Sequence, residues 1–216
     1  LGDYVEFFVR GEGVDVSQVK RDKEHRTGIL IKEMHTTKEP KVFYYRENSA
    51  ASCLIEEDID QNYIKNARHL HLTGITPALS QSAQAAFFKA LQVARENNLK
   101  ISFDPNLRLK LWDSIEEMKK VMLKIIPQVN VLLPGVEEGA ILLGQSDPEE
   151  IIKEFYGMME PGSLIVLKIG AEGALYYQGD QIEHIEPYCV DNIVDLIGAG
   201  DAFAAGLIAG LLRELP

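Results

Sequence analysis

The chain has 216 residues, 46% hydrophobic and 25% charged, which is ordinary for a folded protein with a full core and excludes disorder or a fibrous repeat. Lys and Arg number 22 against 33 Asp and Glu, giving a net charge of −11. Such an acidic surface repels phosphate backbones and anionic lipid, so neither nucleic acid nor a membrane is an expected partner; a small anionic ligand needs only a few local cations.

The longest apolar run near the C-terminus, 202–212, is too short to span a bilayer. Cys53 and Cys189 fit no metal-ligand spacing and read as packing thiols in a reducing cytoplasm. The first residue is Leu1 rather than Met, and Pro216 falls just after an apolar helix pattern. Both ends are therefore expected to be incomplete.

In chain order, residues 4–10 predict a helix that stops at Gly11 and Gly13. Two strands follow at 28–34 and 41–46, with a turn at 36–40; their many polar residues imply at least one face open to solvent or ligand. From Ile55 the rhythm becomes alternating helix and strand. A helix at 57–66 leads to a strand at 69–73, and Ser80 caps an amphipathic helix carrying Ala83, Phe87, Ala90, Leu91 and Ala94 on one face. A strand at 100–103, a helix from Ser114 stopped by Pro127, a strand at 129–133 and helices at 136–143 and 149–158 come next. An apolar strand at 164–169, a hairpin of 174–177 with 181–185, and a last helix near Asp201 complete the pattern.

Alternating β and α units of this length imply an α/β fold with a mostly parallel sheet and helices on its faces. Ligands of such sheets bind beyond the carboxyl ends of the strands. The loops there begin at Gly74, Asp104, Pro134 and Gly170, and each is rich in Gly, Pro or charge.

The segment from Asp195 through Gly198, Ala199, Gly200 and Asp201 runs straight into an Ala- and Leu-rich helix. Small residues at a helix start let backbone N–H groups converge on an anion, and the helix dipole adds to the attraction. Asp201 has two readings: a side chain that merely caps its helix, or a base that takes a proton from a hydroxyl attacking a bound phosphate. Neither a Gly-x-x-x-x-Gly-Lys-Ser/Thr loop nor a dinucleotide fingerprint is present. Tyr44 and Arg46, two apart on a strand, share a face, and Arg108 lies just past a strand end. A guanidinium fork suits a carboxylate, so these arginines read either as surface ion pairs or as partners of an acidic substrate, the second reading favoured by having both. His69 and His71 also share a face, and they read as structural rather than as metal ligands.

Residues 195–212, DLIGAGDAFAAGLIAGLL, resemble the C-terminal signature of the ribokinase-like (PfkB) carbohydrate kinases. With FYYR at 43–46, DPNLRLKLW at 104–112 and LPGVEEG at 133–139, the chain is most similar to the 2-keto-3-deoxygluconate kinases of that family. The resemblance implies a ribokinase-like three-layer fold, with a small β-rich lid at 13–48 over a core made of 1–12 and 49–216. It implies ATP-dependent phosphorylation of 2-keto-3-deoxygluconate to 2-keto-3-deoxy-6-phosphogluconate in the cytoplasm. Asp201 would be the catalytic base, and the amides of Gly198, Ala199 and Gly200 the anion hole. Tyr44, Arg46, Ile75 and Arg108 would touch the sugar acid. Asn106, Lys168, Gly170, Glu172, Gly173, Gly198 and Gly200 would line the ATP site.

Glu138 would help hold Mg²⁺ through water, although Gly135 stands where many members carry Asn. On the residues alone, Glu137 and Glu138 read as a solvated helix start that suits the dipole. A monovalent cation such as K⁺ and a homo-oligomer formed through the lid are further expectations of the family. It also implies a longer chain, with missing portions at both ends and a gap between Asp3 and Tyr4. Two rival functions stay open: another PfkB sugar kinase, such as a fructokinase or ribokinase, and a catalytically silent sugar or nucleotide sensor.

Overall fold

The computed structural model describes residues 1–33, 41–189, 195 and 197–214. The chain divides into two units: residues 1–62 with 76–90, and residues 63–75 with 91–216.

In the first unit, helix α1 (Gly2–Gly11) is two to three residues longer than its apolar pattern suggests. It ends through Glu12, and Gly13, at a φ of +81°, donates its N–H to the Arg10 carbonyl. Strands β1 (Ile29–Glu33) and β2 (Lys41–Tyr45) pair antiparallel, with Ile29 opposite Tyr45 and Glu33 opposite Lys41. The turn expected at 36–40 and the end of the first strand at Met34 lie outside the described residues. Ile29, Leu30, Ile31, Phe43, Tyr44 and Tyr45 on this ribbon are all exposed, while the paired Lys32 and Val42 are partly buried.

The helix expected at 57–66 is broken in two. A 3₁₀ turn covers Glu56–Asp58, and α2 covers only Gln61–Lys65. Acidic side chains cause the break: Asp58 accepts from the Ile55 N–H at 3.1 Å, and Asp60 accepts from the Asn62 N–H at 2.9 Å. Aspartates that bond their own backbone in this way compete with a continuous helix.

In the second unit, six strands lie side by side in chain order. These are β3 (His69–Thr73), β4 (Lys100–Asp104), β5 (Val131–Leu132), β6 (Leu164–Lys168), β7 (Ala174–Tyr177) and β8 (Glu183–Ile185). The pairs from β3 to β6 are parallel, and β6–β7 and β7–β8 are antiparallel.

The residues after β3, read as a loop, instead form a single turn, α3 (Ile75–Leu79). Pro77 is tolerated because the first turn of a helix needs no N–H donors. Helix α4 (Gln81–Glu96) is capped by Ser80, whose Oγ accepts the Ala83 N–H at 3.0 Å. Helix α5 (Ile115–Ile125) is capped by Ser114, which accepts from Glu117 N–H at 3.1 Å, and it buries Met118, Val121, Met122 and Ile125. Helix α6 (Val136–Leu143) ends at Gly144 with a φ of +74°. Helix α7 (Pro148–Met158) starts on Asp147, which accepts the Glu150 N–H at 3.0 Å.

The last helix, α8 (Ala199–Leu212), brings Ala204 and Leu207 against Val131, Leu133, Val166 and Ala174 on one side of the sheet. The intervening residues Leu132, Ile165 and Leu167 are fully buried on the other side, where α7 packs on β6 and β7. Strands apolar on both faces need this double cover, and it sends the polar chemistry to the strand ends. Among the described residues no helix is long and apolar enough to cross a membrane.

Candidate active site

At the carboxyl ends of β3, β4, β5 and β6, two acidic residues tie four loops together, three through their side chains and the β3 loop through a backbone carbonyl. Asp104, the last residue of β4, is only 4% exposed. Its Oδ2 lies 2.8 Å from Nζ of Lys168, the last residue of β6. Its Oδ1 accepts the Asn106 N–H at 3.0 Å, holding Asn106 at a φ of +40°, and its carbonyl accepts the Gly74 N–H at 2.9 Å. Gly74 is required by the closeness of the two loops, since a β-carbon there would lie 2.0 Å from the Pro105 carbonyl oxygen.

Glu138, in the first turn of α6, supplies the second tie. Its carboxylate accepts the Leu107 N–H at 2.7 Å and the Gly135 N–H at 2.8 Å. This corrects the reading of Glu138 as a solvated helix-start charge. Burial raises its pKa above the usual carboxylate range, the two backbone donors pull it back, and Asp104 raises it further. A β-carbon on Gly135 would meet Glu138 Oε2 only at 3.6 Å, an ordinary contact. The backbone here therefore leaves room for the Asn common in the resembled family.

The start of α8 forms the third wall. Gly198 precedes the helix at a φ of +82°, a conformation that suits glycine, and its carbonyl accepts the Ala202 N–H at 2.8 Å. Asp201 lies exposed in the first turn, inside the helix and not at its N-cap position, which Gly198 holds. A β-carbon on Gly200 would sit 3.9 Å from Lys168 Nζ, so the lysine reaches the nest of small residues.

His71 on β3 completes the polar edge. Its Nδ1 lies 2.8 Å from the buried Ser102 Oγ, which is also 2.7 Å from His69 Nε2. Loss of water on the strand side lowers both imidazole pKa values, although one edge of His71 stays accessible; the charges of Asp104 and Asp201 pull His71 back up.

The second unit thus brings together Asn106, Glu138, Lys168, Gly198, Ala199, Gly200 and Asp201. Arg108 is exposed beside this network, with Nη1 3.4 Å from the Leu107 carbonyl. Ile75 opens α3, at the end of β3. Gly170, Glu172 and Gly173 form the tight β6–β7 turn. Gly173 has a φ of +96°, and a β-carbon there would lie 2.1 Å from the Ile185 carbonyl oxygen. Tyr44 and Arg46 belong to the first unit, where the guanidinium stacks 4.2 Å from the Tyr44 ring centre.

Three residues of the network were not among the predicted ones: Asp104, Ser102 and His71. A charged residue closing the apolar strand KISFD was the available signal for Asp104. Cys189 is exposed, so it is not a packing thiol; Cys53 is partly buried.

A cleft of about 440 Å³ at the amino ends of the strands, edged by Arg68, Lys100, Glu160 and Glu214, contains none of the predicted site residues. Among the described residues no group of three His, Cys, Asp or Glu side chains could enclose a metal ion. The Glu138 carboxylate suits a hydrated Mg²⁺ carried by nucleotide phosphates better than one caged by protein, because Mg²⁺ keeps several of its waters.

The model of the pfkB family carbohydrate kinases matches residues 1–216. The 2-dehydro-3-deoxygluconokinase of Bacillus subtilis (strain 168) is 38% identical over 216 residues, covering 100% of this chain and 66% of that protein. The enzyme of the same name from Thermoproteus tenax is 36% identical over 207 residues, covering 94% of this chain and 61% of its own. The chain therefore spans about two thirds of the length of these curated relatives. A PfkB protein from Polaromonas sp. JS666 superimposes with a TM-score of 0.90 at 36% identity, over 100% of this chain and 70% of that one. A Ribokinase II from E. coli, solved in complex with ATP and Mg²⁺, gives a TM-score of 0.87 at 28% identity, over 98% of this chain and 66% of that one.

Proposed function

The chain belongs to the pfkB family of carbohydrate kinases, and we propose that the protein carrying it transfers the terminal phosphoryl group of ATP to the 6-hydroxyl of 2-keto-3-deoxygluconate (2-dehydro-3-deoxygluconate). The observation that carries this reading is the nest of Gly198, Ala199 and Gly200 at the start of α8, with Asp201 in its first turn and Lys168 within reach. The Asp201 carboxylate accepts the hydroxyl proton as the substrate oxygen bonds to the γ-phosphorus. The bond from that phosphorus to the β,γ-bridging oxygen breaks, and ADP leaves with the electron pair. The amides of the nest and the Lys168 ammonium stabilise charge on the transferring group. Asn106 and the turn of Gly170, Glu172 and Gly173 are assigned to the nucleotide. Mg²⁺, when bound, neutralises phosphate charge, with Glu138 holding its water shell.

The substrate assignment rests on Arg108 and Arg46 as guanidinium partners of the acid, with Tyr44 and Ile75 against the rest of the sugar. Stacking on Tyr44 pre-orients the Arg46 fork, so less freedom is lost when it grips a planar anion. The two relatives named 2-dehydro-3-deoxygluconokinase support the same class.

The deciding experiment measures ATP consumption by the purified protein with 2-keto-3-deoxygluconate, fructose and ribose, with and without Mg²⁺ and K⁺. A kcat/KM highest for the sugar acid is expected. Preference for a neutral sugar would make the protein a different sugar kinase. Tight sugar or nucleotide binding with no ATP consumed would make it a sensor.

A further inference from the structure

Lys168 carries three N–H donors, and among the described residues Asp104 is their hydrogen-bond partner, at 2.8 Å. The lysine side chain is 23% exposed and that of Asp104 5%. The acid is thus sealed in while the cation faces the nest, 3.9 Å from where a Gly200 β-carbon would lie. The same acid fixes Asn106 through its other oxygen and the end of β3 through its carbonyl. The backbone beneath the lysine is held as well, since the Lys168 N–H donates to the Pro134 carbonyl at 2.8 Å.

We propose that Asp104 is a positioning residue for nucleotide phosphate: it holds the Lys168 ammonium against the anion nest and the Asn106 backbone beside it, acting on the ligand through them without touching it. The inference rests on the nucleotide reading of this site given above. A long lysine free in solvent would lose rotamer entropy each time it gripped a phosphate; a lysine already pinned by a buried carboxylate has lost most of it beforehand. Asp104 also lowers the net positive charge of the pocket, so it favours placement of the cation over raw attraction. Losing a hydrogen bond to a charged group typically shifts an equilibrium by about ten- to a hundredfold.

The test is a double-mutant cycle on the protein with Asp104→Asn, Lys168→Met and the pair together, reading the Kd for ATP by calorimetry and the Kd for the sugar acid separately. Asp104→Asn is expected to weaken ATP binding about tenfold, with sugar-acid binding close to wild type. Asp104→Asn should cause no further loss of ATP affinity in the Lys168→Met background. Equal losses for both ligands, or additive effects in the double variant, would show a merely structural role and overturn the proposal. An unchanged ATP Kd in Lys168→Met would overturn it too.

If Asp104→Asn fails to fold, comparing Lys168→Met with the double variant still decides. Only the double variant lacks both charges, so an ATP affinity there no lower than in Lys168→Met supports the proposal, while a further loss sinks it. Because binding rather than turnover is read, wild-type protein that binds ATP but phosphorylates no sugar acid would refute the functional reading and leave the cycle to judge Asp104.

Discussion

An alanine at position 74 would place its β-carbon 2.0 Å from the Pro105 carbonyl oxygen and 2.9 Å from Met122 Cε. Ordinary contact begins near 3.4 Å, so the carbonyl must retreat by about 1.4 Å. The methionine can swing away, but the carbonyl cannot move alone. It follows Asp104, whose own carbonyl accepts the Gly74 N–H, and precedes Asn106, which is tied to the Asp104 carboxylate. Overpacking costs about 1–3 kcal/mol, and loss of one backbone hydrogen bond adds about 0.5–1.5, for a total of roughly 2–4 kcal/mol. For a protein of this size that lowers Tm by roughly 4–16 °C.

Thermal unfolding followed by circular dichroism measures the loss, with Gly157→Ala as the control. Gly157 lies in α7 with nothing within 4 Å of an added β-carbon, so alanine there should stabilise by about 0.5–1 kcal/mol. A Gly74→Ala protein melting within a degree of wild type would mean that the β3 and β4 loops do not touch as described.

Asp201→Asn should leave ATP affinity near wild type and reduce turnover by ~10²–10⁴, the usual worth of a positioned proton acceptor; near-normal turnover in the purified variant removes Asp201 from the mechanism. Arg108→Ala should lower kcat/KM for the sugar acid about ten- to a hundred-fold and spare a neutral sugar, with Arg108→Lys recovering part; equal losses on both substrates would show that Arg108 does not read the acid group. Glu138→Gln tests linkage. With the folded pKa of Glu138 above the ordinary 4.5, the folded state binds a proton that the unfolded state lacks between those two values, so wild-type stability falls as pH rises through that window. Glutamine does not titrate, so the stability gap between wild type and variant should narrow from about pH 4.5 upward; a widening gap in denaturant titrations contradicts the burial of Glu138.

Hydrophobic periodicity located most elements because their apolar faces are the ones the sheet buries. Residues 136–143 and 174–177 match α6 and β7 without shift. Periodicity failed where side chains bond the backbone. Asp58 and Asp60 split a segment whose composition alone reads as one helix, and Pro77 sits inside a turn that its residue type argues against. The start of α8 at the small-residue run 198–200 was legible because glycine suits the left-handed backbone that precedes the helix. Asp104 was not, because its meaning lies in Lys168, which is 64 residues away in the chain. Two strand ends become neighbours only when the order β4-β5-β6 is known. Glu138 shows the same limit: its position suits the helix dipole, while the Leu107 and Gly135 donors that occupy it come from two different loops.

Among the described residues the ribbon of β1 and β2 has one strand pairing, and of its side chains only Lys32 and Val42 are partly covered. An isolated two-stranded ribbon is only marginally stable in water. Its amide protons should therefore exchange with solvent far faster than those of β4 and β6, whose carbonyl and N–H groups lie between paired neighbours and buried side chains. Segments with so small an opening free energy reorganise at little cost, so a ligand that presses on this ribbon displaces little beyond the Arg46–Tyr44 stack. The corresponding drawback is entropic, because ordering the ribbon backbone draws on the binding energy of the ligand even with the Arg46 fork already stacked on Tyr44.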